Sequence, residues 1–293
     1  MPTSHILTLI ADRHATTLSA AVLARVREAA GAGEAGVLSP GEAAELPCPA
    51  PPDLAEVAAA LDGARIDAIA TPAAERRKRL LLADMDSTIV TVETLDELAA
   101  FAGLKAEVAE ITRAGMNGEI DFKEGLRRRA AMLKGLPTSA LEATWRGIRF
   151  TDGARELVAT MRAHGAVTAL VSGGFTFFAG RVAASLGFDV HRANVLLHDG
   201  HALSGTVAEP IRDRDDKLAA LHELTAAHQL PLAATLAVGD GANDLPMLLQ
   251  AGLGVAFRAK PVVAAQARAH LAFADLRGLL FAQGYLAREI IAA

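Results

Sequence analysis

Two carboxylates one residue apart, at the end of a short apolar run, constrain this chain more than any other stretch. The run is Leu80-Leu81-Leu82-Ala83, and Asp84-Met85-Asp86-Ser87-Thr88 follows it. An apolar run of that length, bounded by polar residues, suits one strand of a parallel sheet buried on both faces. Side chains alternate along an extended segment, so if the strand continued, Asp84 and Asp86 would emerge on one side. Open α/β sheets bind ligands at the carboxyl ends of their strands. Such a pair can hold a hard cation, or one carboxylate can attack while the other handles protons. A bare D-x-D is common, and a solvated loop after a strand is the plain alternative. The rest of the chain decides between them.

From Leu80 onward, strand patterns alternate with helical ones. Apolar runs end in polar residues at 167–172 and 235–240, and a fourth lies near 253–257. Helical segments accompany them at 154–164, 178–186, 216–228 and 243–250. This alternation predicts an α/β fold, a doubly wound parallel sheet with its site at the strand carboxyl ends. Two insertions interrupt it. Residues 90–150 read as four short helices, at 94–102, 106–114, 122–133 and 139–146, the last introduced by Pro137-Thr138. Placed just after the carboxylate pair, they would cover it as a lid. The second insertion, 192–207, carries Asp199-Gly200 between two strand-like runs, which is a hairpin signal.

Residues 1–79 read as a separate small α+β unit ahead of a domain spanning 80–293. Strands are expected at 5–11 and 64–70, with one or two more around Pro40-Gly41. Helices are expected at 17–30, where Leu18, Val22, Leu23 and Val26 have helical spacing, and from Asp53 to about residue 61. The proline-rich stretch 47–52 reads as a stiff connector, and Arg76-Arg77-Lys78-Arg79 as a solvated linker. This element order resembles the ACT-type ligand-binding domains. A packing or dimerisation module is the alternative, which leaves a homodimer open.

Further candidates fall at the later strand ends. Ser172-Gly173-Gly174 can cradle a phosphate with backbone N–H groups and a hydroxyl, or can be an ordinary turn into a helix. Lys217 lies in a charged run and, taken alone, reads as a surface charge. Gly239-Asp240-Gly241-Ala242-Asn243-Asp244 brings two more carboxylates to a strand end, completing a hard-cation site. The net charge of -5 argues against general nucleic-acid binding. Cys48 is the only cysteine, so no intrachain disulfide or cysteine-cluster zinc site can form. No apolar run approaches the roughly 18 residues of a membrane helix. No secretion signal is evident either, so cytoplasm is the expected location.

Taken in order, the pieces are strand-D-x-D-S-T, S-G-G, K and G-D-G-x-N-D. This pattern resembles the haloacid dehalogenase superfamily of phosphotransferases, and within it the phosphoserine phosphatases. The resemblance rests on Asp84–Thr88, Val171-Ser172-Gly173-Gly174-Phe175, Val238 to Asp244 and Ala259-Lys260-Pro261. In the lid it rests on Glu93-Thr94-Leu95-Asp96-Glu97 and Leu126-Arg127-Arg128-Arg129. It covers about residues 80–285. Met85 stands where the family often has Phe.

The resemblance implies Asp84 as nucleophile and Asp86 as general acid and base. It implies Mg²⁺, with Mn²⁺ also suitable, held by Asp84, the Asp86 carbonyl and Asp240, with Asp244 orienting those ligands. Ser172, Gly173 and Lys217 would hold the phosphoryl group, supported by Asn243. Glu93 would meet the ammonium and Arg129 the carboxylate of O-phospho-L-serine, with Met116 and Phe122 excluding water. A related small-molecule phosphatase, or a phosphotransferase passing the group to an alcohol such as homoserine, would use the same residues. A rival of another class is a regulatory amino-acid-binding protein, with residues 1–79 as sensor and the catalytic body merely retained.

Overall fold

The computed structural model describes residues 3–116 and 119–292. The N-terminal region comprises β1 (His5–Ala11), α1 (Ala20–Ala29), β2 (Gly36–Ser39), β3 (Ala43–Cys48), α2 (Leu54–Leu61) and β4 (Ile66–Pro72). Its sheet has the order β2-β3-β1-β4, with β1 antiparallel to both neighbours. The period-two alternation of β1 explains its central place. Leu7, Leu9 and Ala11 pack with Val26 of α1 and Val57 and Leu61 of α2. Ile10 faces the other way and joins the core of the following region. Ser19 and Asp53 cap the two helices through side-chain oxygens, as short polar residues ahead of apolar runs do.

Two local expectations are corrected here. The stiff connector does not begin at Pro47, because β3 runs through it to the buried Cys48. β2 pairs with β3 only as far as Glu45, so the missing N–H of Pro47 breaks no bond on that side. The basic run is a solvated linker only in part, with Arg77 and Arg79 exposed. Lys78 is 6 % exposed, and its Nζ donates to the carbonyls of Glu75 and Ala233. Arg76 pairs with Glu45, while Arg77 pairs with Glu289 and lies 4.2 Å from the centre of the Tyr285 ring.

The second region starts with β5 (Leu80–Ala83). The lid follows: α3 (Thr94–Ala100), α4 (Lys105–Met116), α5 (Phe122–Met132) and α6 (Ser139–Gly147). It leaves and re-enters beside the sheet at an isolated bridge between Val90 and Phe150. The chain continues through α7 (Ala154–Ala163), β6 (Val167–Phe175), α8 (Thr176–Leu186), β7 (Val190–Asn194) and the hairpin β8 (Leu196–His198) with β9 (Leu203–Val207). It closes with α9 (Arg214–Ala227), β10 (Thr235–Gly239), α10 (Leu245–Gln250), β11 (Leu253–Phe257), α11 (Pro261–Ala264), β12 (Ala269–Leu271) and α12 (Gly278–Ala282). The sheet order is β12-β11-β10-β5-β6-β7, parallel throughout.

β5 shows why its sequence is a continuous apolar run. Leu81 and Ala83 face one core, while Leu80 and Leu82 face the other beneath α9 and α10. Burying each such leucine contributes about 1.5–3 kcal/mol. The two regions meet where β4 lies against β12. The Asp67 carboxylate accepts the backbone N–H groups of Ala272, Phe273 and Ala274, at 2.7, 3.0 and 2.8 Å. No helix among the described residues is long and apolar enough to cross a membrane.

Candidate active site

The site lies where the strand order reverses. β5 is followed outward by β6 and β7, and the chain then returns to lay β10 along the other edge of β5. A crevice opens at such a reversal, beyond the carboxyl ends of the strands. Asp84 follows β5, and Asp240 follows β10.

The chain does not stay extended after Asp84. It turns out of the sheet across Met85–Ile89, with Ser87 at φ 54°. The two carboxylates therefore do not share the side of one strand, and the turn gives them different partners. Asp84 Oδ1 accepts from Lys217 Nζ at 2.6 Å. Asp86 Oδ1 accepts the N–H of Thr94, the first residue of α3, at 2.8 Å. Asp86 Oδ2 accepts from Ser172 Oγ at 3.3 Å.

Carboxylate oxygens of Asp84, Asp240 and Asp244 lie within 4.8 Å of one another, and all three side chains are buried. Lys217 joins two of them. Its Nζ donates to Asp84 Oδ1 and Asp244 Oδ1, each at 2.6 Å, and the residue is 1 % exposed. A capping box of Asp213 and Asp216 starts α9 and sets the turn that carries Lys217 inward. Burial alone would pull the ammonium down, but Asp244 and Asp84 outweigh it and hold its pKa above the ordinary value. Burial and the neighbouring Asp244 push Asp84 well above the usual carboxylate range. The same causes raise Asp240 to about 6.

These carboxylates are short of positive charge, and that is the condition a divalent cation relieves. One orphaned atom points the same way. Asp240 Oδ2 is buried and accepts no hydrogen bond among the described residues, with Lys260 Nζ 3.5 Å away. An all-oxygen donor set of this kind fits a hard cation such as Mg²⁺.

The Ser172-Gly173-Gly174 stretch faces the carboxylates from the end of β6. Ser172 Oγ accepts the Gly174 N–H at 2.8 Å. A Cβ on Gly174 would fall 2.7 Å from Asp86 Oδ2, and one on Gly173 the same distance from the Phe122 ring, so neither position has room for a side chain. Asn194 Nδ2 donates to the carbonyls of Gly173 and Arg212, and its Oδ1 accepts the Arg212 N–H. One buried amide thus ties this stretch to the segment that leads into α9. Asn243 stands half-buried on the loop after β10.

The lid contributes Glu93, Phe122 and Arg129. Glu93 accepts from Ser87 Oγ at 2.6 Å, and burial together with the negative charge of Asp86 raises it to about 8. Arg129 is half-buried and donates from Nη1 to Thr112 Oγ1 at 3.0 Å. The side chain of Met116 lies outside the described residues. Arg127 and Arg128 are exposed and pair with Glu209 and Glu124. Lys123 reaches Asp213 at 3.0 Å, pinning α5 to the start of α9.

Sequence reasoning assigned no role to Thr88, which donates to Asp240 at 3.2 Å, or to Lys260 and Asn194. Lys260 lies three residues past the end of β11, and its place in the motif Ala259-Lys260-Pro261 was the available signal. Asn194 carries no signal of its own. A separate open cleft of about 760 Å³, lined by Arg162, Asp189 and His228 among others, lies at the amino ends of β6 and β7. That is the opposite end of the sheet from the carboxylates.

The haloacid dehalogenase-like hydrolase family profile matches residues 81–249. A phosphoserine phosphatase of Streptococcus thermophilus is 45 % identical over 199 residues, covering 68 % of this chain and 93 % of that protein. A phosphoserine phosphatase of Streptomyces coelicolor is 43 % identical over 241 residues, covering 82 % of this chain, which spans 58 % of that protein's length. A structure described as a phospho-aspartyl intermediate analogue of phosphoserine phosphatase superposes with a TM-score of 0.66 at 39 % identity, over 70 % of this chain and 98 % of that one. With its motifs at the strand ends of one parallel sheet, and with these similarities over most of its length, the chain belongs to the phosphoserine phosphatase family of haloacid dehalogenase-like hydrolases.

Proposed function

We propose that this protein hydrolyses O-phospho-L-serine to L-serine and phosphate through an aspartyl-phosphate, the last step of serine biosynthesis. The observation that carries the reading is the lid pair. Glu93 and Arg129, an acid and a base suited to the two ends of an amino acid, both lie within electrostatic reach of Asp86.

Asp84 attacks phosphorus, forming the aspartyl-phosphate as the bond to the seryl oxygen breaks. Asp86 gives its proton to that oxygen, then takes one from the water that attacks the phosphorus and releases phosphate. Acid–base assistance of this kind is worth about 10²–10⁴ in rate. The Thr94 bond holds the Asp86 carboxyl in place for both steps, while the Ser172 hydroxyl, hydrogen-bonded to Asp86 here, turns its one proton to the phosphoryl group when substrate binds. An ammonium has three N–H donors. Lys217 uses two on Asp84 and Asp244, which leaves one for a phosphoryl oxygen. Ser172 and the Gly173 N–H serve the others, with Asn243 at their side. Asp84, Asp240 and the Asp86 carbonyl would hold Mg²⁺, oriented by Asp244. When bound, the cation offsets carboxylate charge and polarises a phosphoryl oxygen. Phe122, seated on Gly173, keeps bulk water out.

The division at residues 79 and 80 belongs to the same proposal. It is supported by an apolar cluster drawn entirely from the N-terminal region. Cytoplasmic residence belongs to it too, in keeping with the unpaired, buried Cys48.

The test is phosphate release from O-phospho-L-serine, phosphothreonine, phosphohomoserine, a sugar phosphate and an aryl phosphate, each with Mg²⁺ and with EDTA. A kcat/KM preference for phosphoserine, abolished by EDTA, is the expected result. Metal-dependent release without that preference would reject the substrate while keeping the chemistry.

A further inference from the structure

Three lid helices converge on one hydroxyl. Thr112 Oγ1, on α4, donates to Asp96 Oδ1 on α3 at 2.7 Å and accepts from Arg129 Nη1 on α5 at 3.0 Å. Asp96 is 8 % exposed and Thr112 6 %, so both polar groups are largely withdrawn from water and depend on these bonds. The Thr112 hydroxyl has one proton, and the Val108 carbonyl at 3.1 Å competes for it within the helix. The carboxylate is nearer and charged, and it wins. With that proton on Asp96, a lone pair of Thr112 is left facing Arg129.

The rest of the guanidinium is constrained as well. Nε donates to the Gly125 carbonyl at 3.3 Å. A guanidinium has five N–H donors. With Nε and one hydrogen of Nη1 engaged, the end formed by Nη1 and Nη2 is the two-pronged face left for a carboxylate. A Thr112 bond from another helix fixes the rotation of that plane, which the Gly125 bond, made within α5, does not.

We propose that Asp96 and Thr112 are positioning residues for substrate selection: Asp96 orients the Thr112 hydroxyl, and Thr112 sets the plane in which Arg129 meets the substrate carboxylate. This rests on Arg129 as the carboxylate ligand, as read under Proposed function. Neither residue touches the substrate, so their effect falls on recognition of the carboxylate and leaves the phosphoryl chemistry alone.

O-phospho-L-serine and O-phosphoethanolamine differ by that carboxylate, so the ratio of their kcat/KM values reads the arginine. Thr112→Val keeps the shape and removes the hydroxyl. The KM for phosphoserine is expected to rise about tenfold, as loss of one hydrogen bond to a charged group implies, with kcat held. Kinetics on phosphoethanolamine stay unchanged, and Thr112→Ser restores the ratio. Asp96→Asn, which keeps an acceptor and removes the charge, shifts the ratio in the same direction. Parallel losses on both substrates, or no recovery in Thr112→Ser, overturn the proposal. Should Thr112→Val fail to fold, an unchanged ratio in folded Asp96→Asn overturns it equally. A wild-type enzyme that does not prefer phosphoserine over phosphoethanolamine rejects Arg129 as the carboxylate ligand instead, and the relay falls with it.

Discussion

Lys217 Nζ lies 2.6 Å from Asp84 Oδ1, although 133 residues separate the two in the chain. The pair is buried, and Asp244 completes it from the other side. Removing one partner of a buried ion pair strands the other charge, at a cost of about 3–5 kcal/mol. Lys217→Met is therefore expected to lose both stability, by about that amount, and turnover, by about 10²-fold or more. Urea unfolding and steady-state kinetics on the same preparation check this. A stable variant with near wild-type turnover would show that the lysine neither balances the carboxylates nor meets the phosphoryl group.

Divalent cation is expected to stabilise the fold as well as support catalysis. A ligand at 100 times its Kd adds about 2.7 kcal/mol to native stability. Mg²⁺ should thus raise the thermal midpoint of the wild type. The rise should vanish in Asp240→Asn, which removes a carboxylate from the cluster. EDTA should abolish turnover, and added Mg²⁺ or Mn²⁺ should restore it. An equal midpoint rise in Asp240→Asn would place the cation elsewhere.

The lid closes on a glycine. A Cβ at Gly173 would fall 2.7 Å from Phe122 Cζ. Gly173→Ala is expected to lower kcat/KM by about 1–3 kcal/mol of barrier, the usual cost of overpacking. Phe122→Leu in the same chain should recover part of the loss by vacating the contested space. A double-mutant cycle measures this directly, and strictly additive effects would show that the two residues do not press on one another.

Asp67 gives the protein a pH dependence remote from the active site. Burial raises its pKa above 3.8, outweighing the N–H groups of Ala274, Ala272 and Phe273 that favour the ionised form. The native chain therefore holds this proton more tightly than the unfolded one. That contribution to stability is fully present below the unfolded value and is lost as pH rises through the raised native value. The stability of the wild type relative to Asp67→Asn should be greatest in acid and shrink as pH climbs, read by urea unfolding at a series of pH values. Asp67→Ala, which strands three N–H groups, should lose about 2–4 kcal/mol. A wild-type advantage that grows with pH would contradict the raised value.

The catalytic strands were legible because burial on both faces writes itself as unbroken apolar sequence, as in β5 and β10. The lid helices were legible from their spacing and from Pro137-Thr138. What the sequence hid depends on contacts across the fold. Lys217 sits in a run of charges, and only Asp84 and Asp244, distant in the chain, draw it inside. In the basic run, Lys78 is buried and Arg76 half-buried for a similar reason, since their partners Ala233 and Glu45 come from other segments. β12 spans just three residues, too few for a pattern. Its neighbour Asp67 carries no marker in the sequence, because the amides it captures lie about two hundred positions away. The turn after Asp84 was missed because a left-handed serine has no marker in sequence.

The meeting of β4 with β12 also settles what each sheet shows to other molecules. A terminal strand with open amides is a template on which a second chain can align, and soluble proteins cover or distort such borders. Here one unpaired border shields another, and Asp67 takes up the amides just past β12. A chain cut to begin at Leu80 would lose that cover. It would also lay bare the apolar side of α12 where Ile10 now packs, and it would be prone to self-association even with every catalytic group in place.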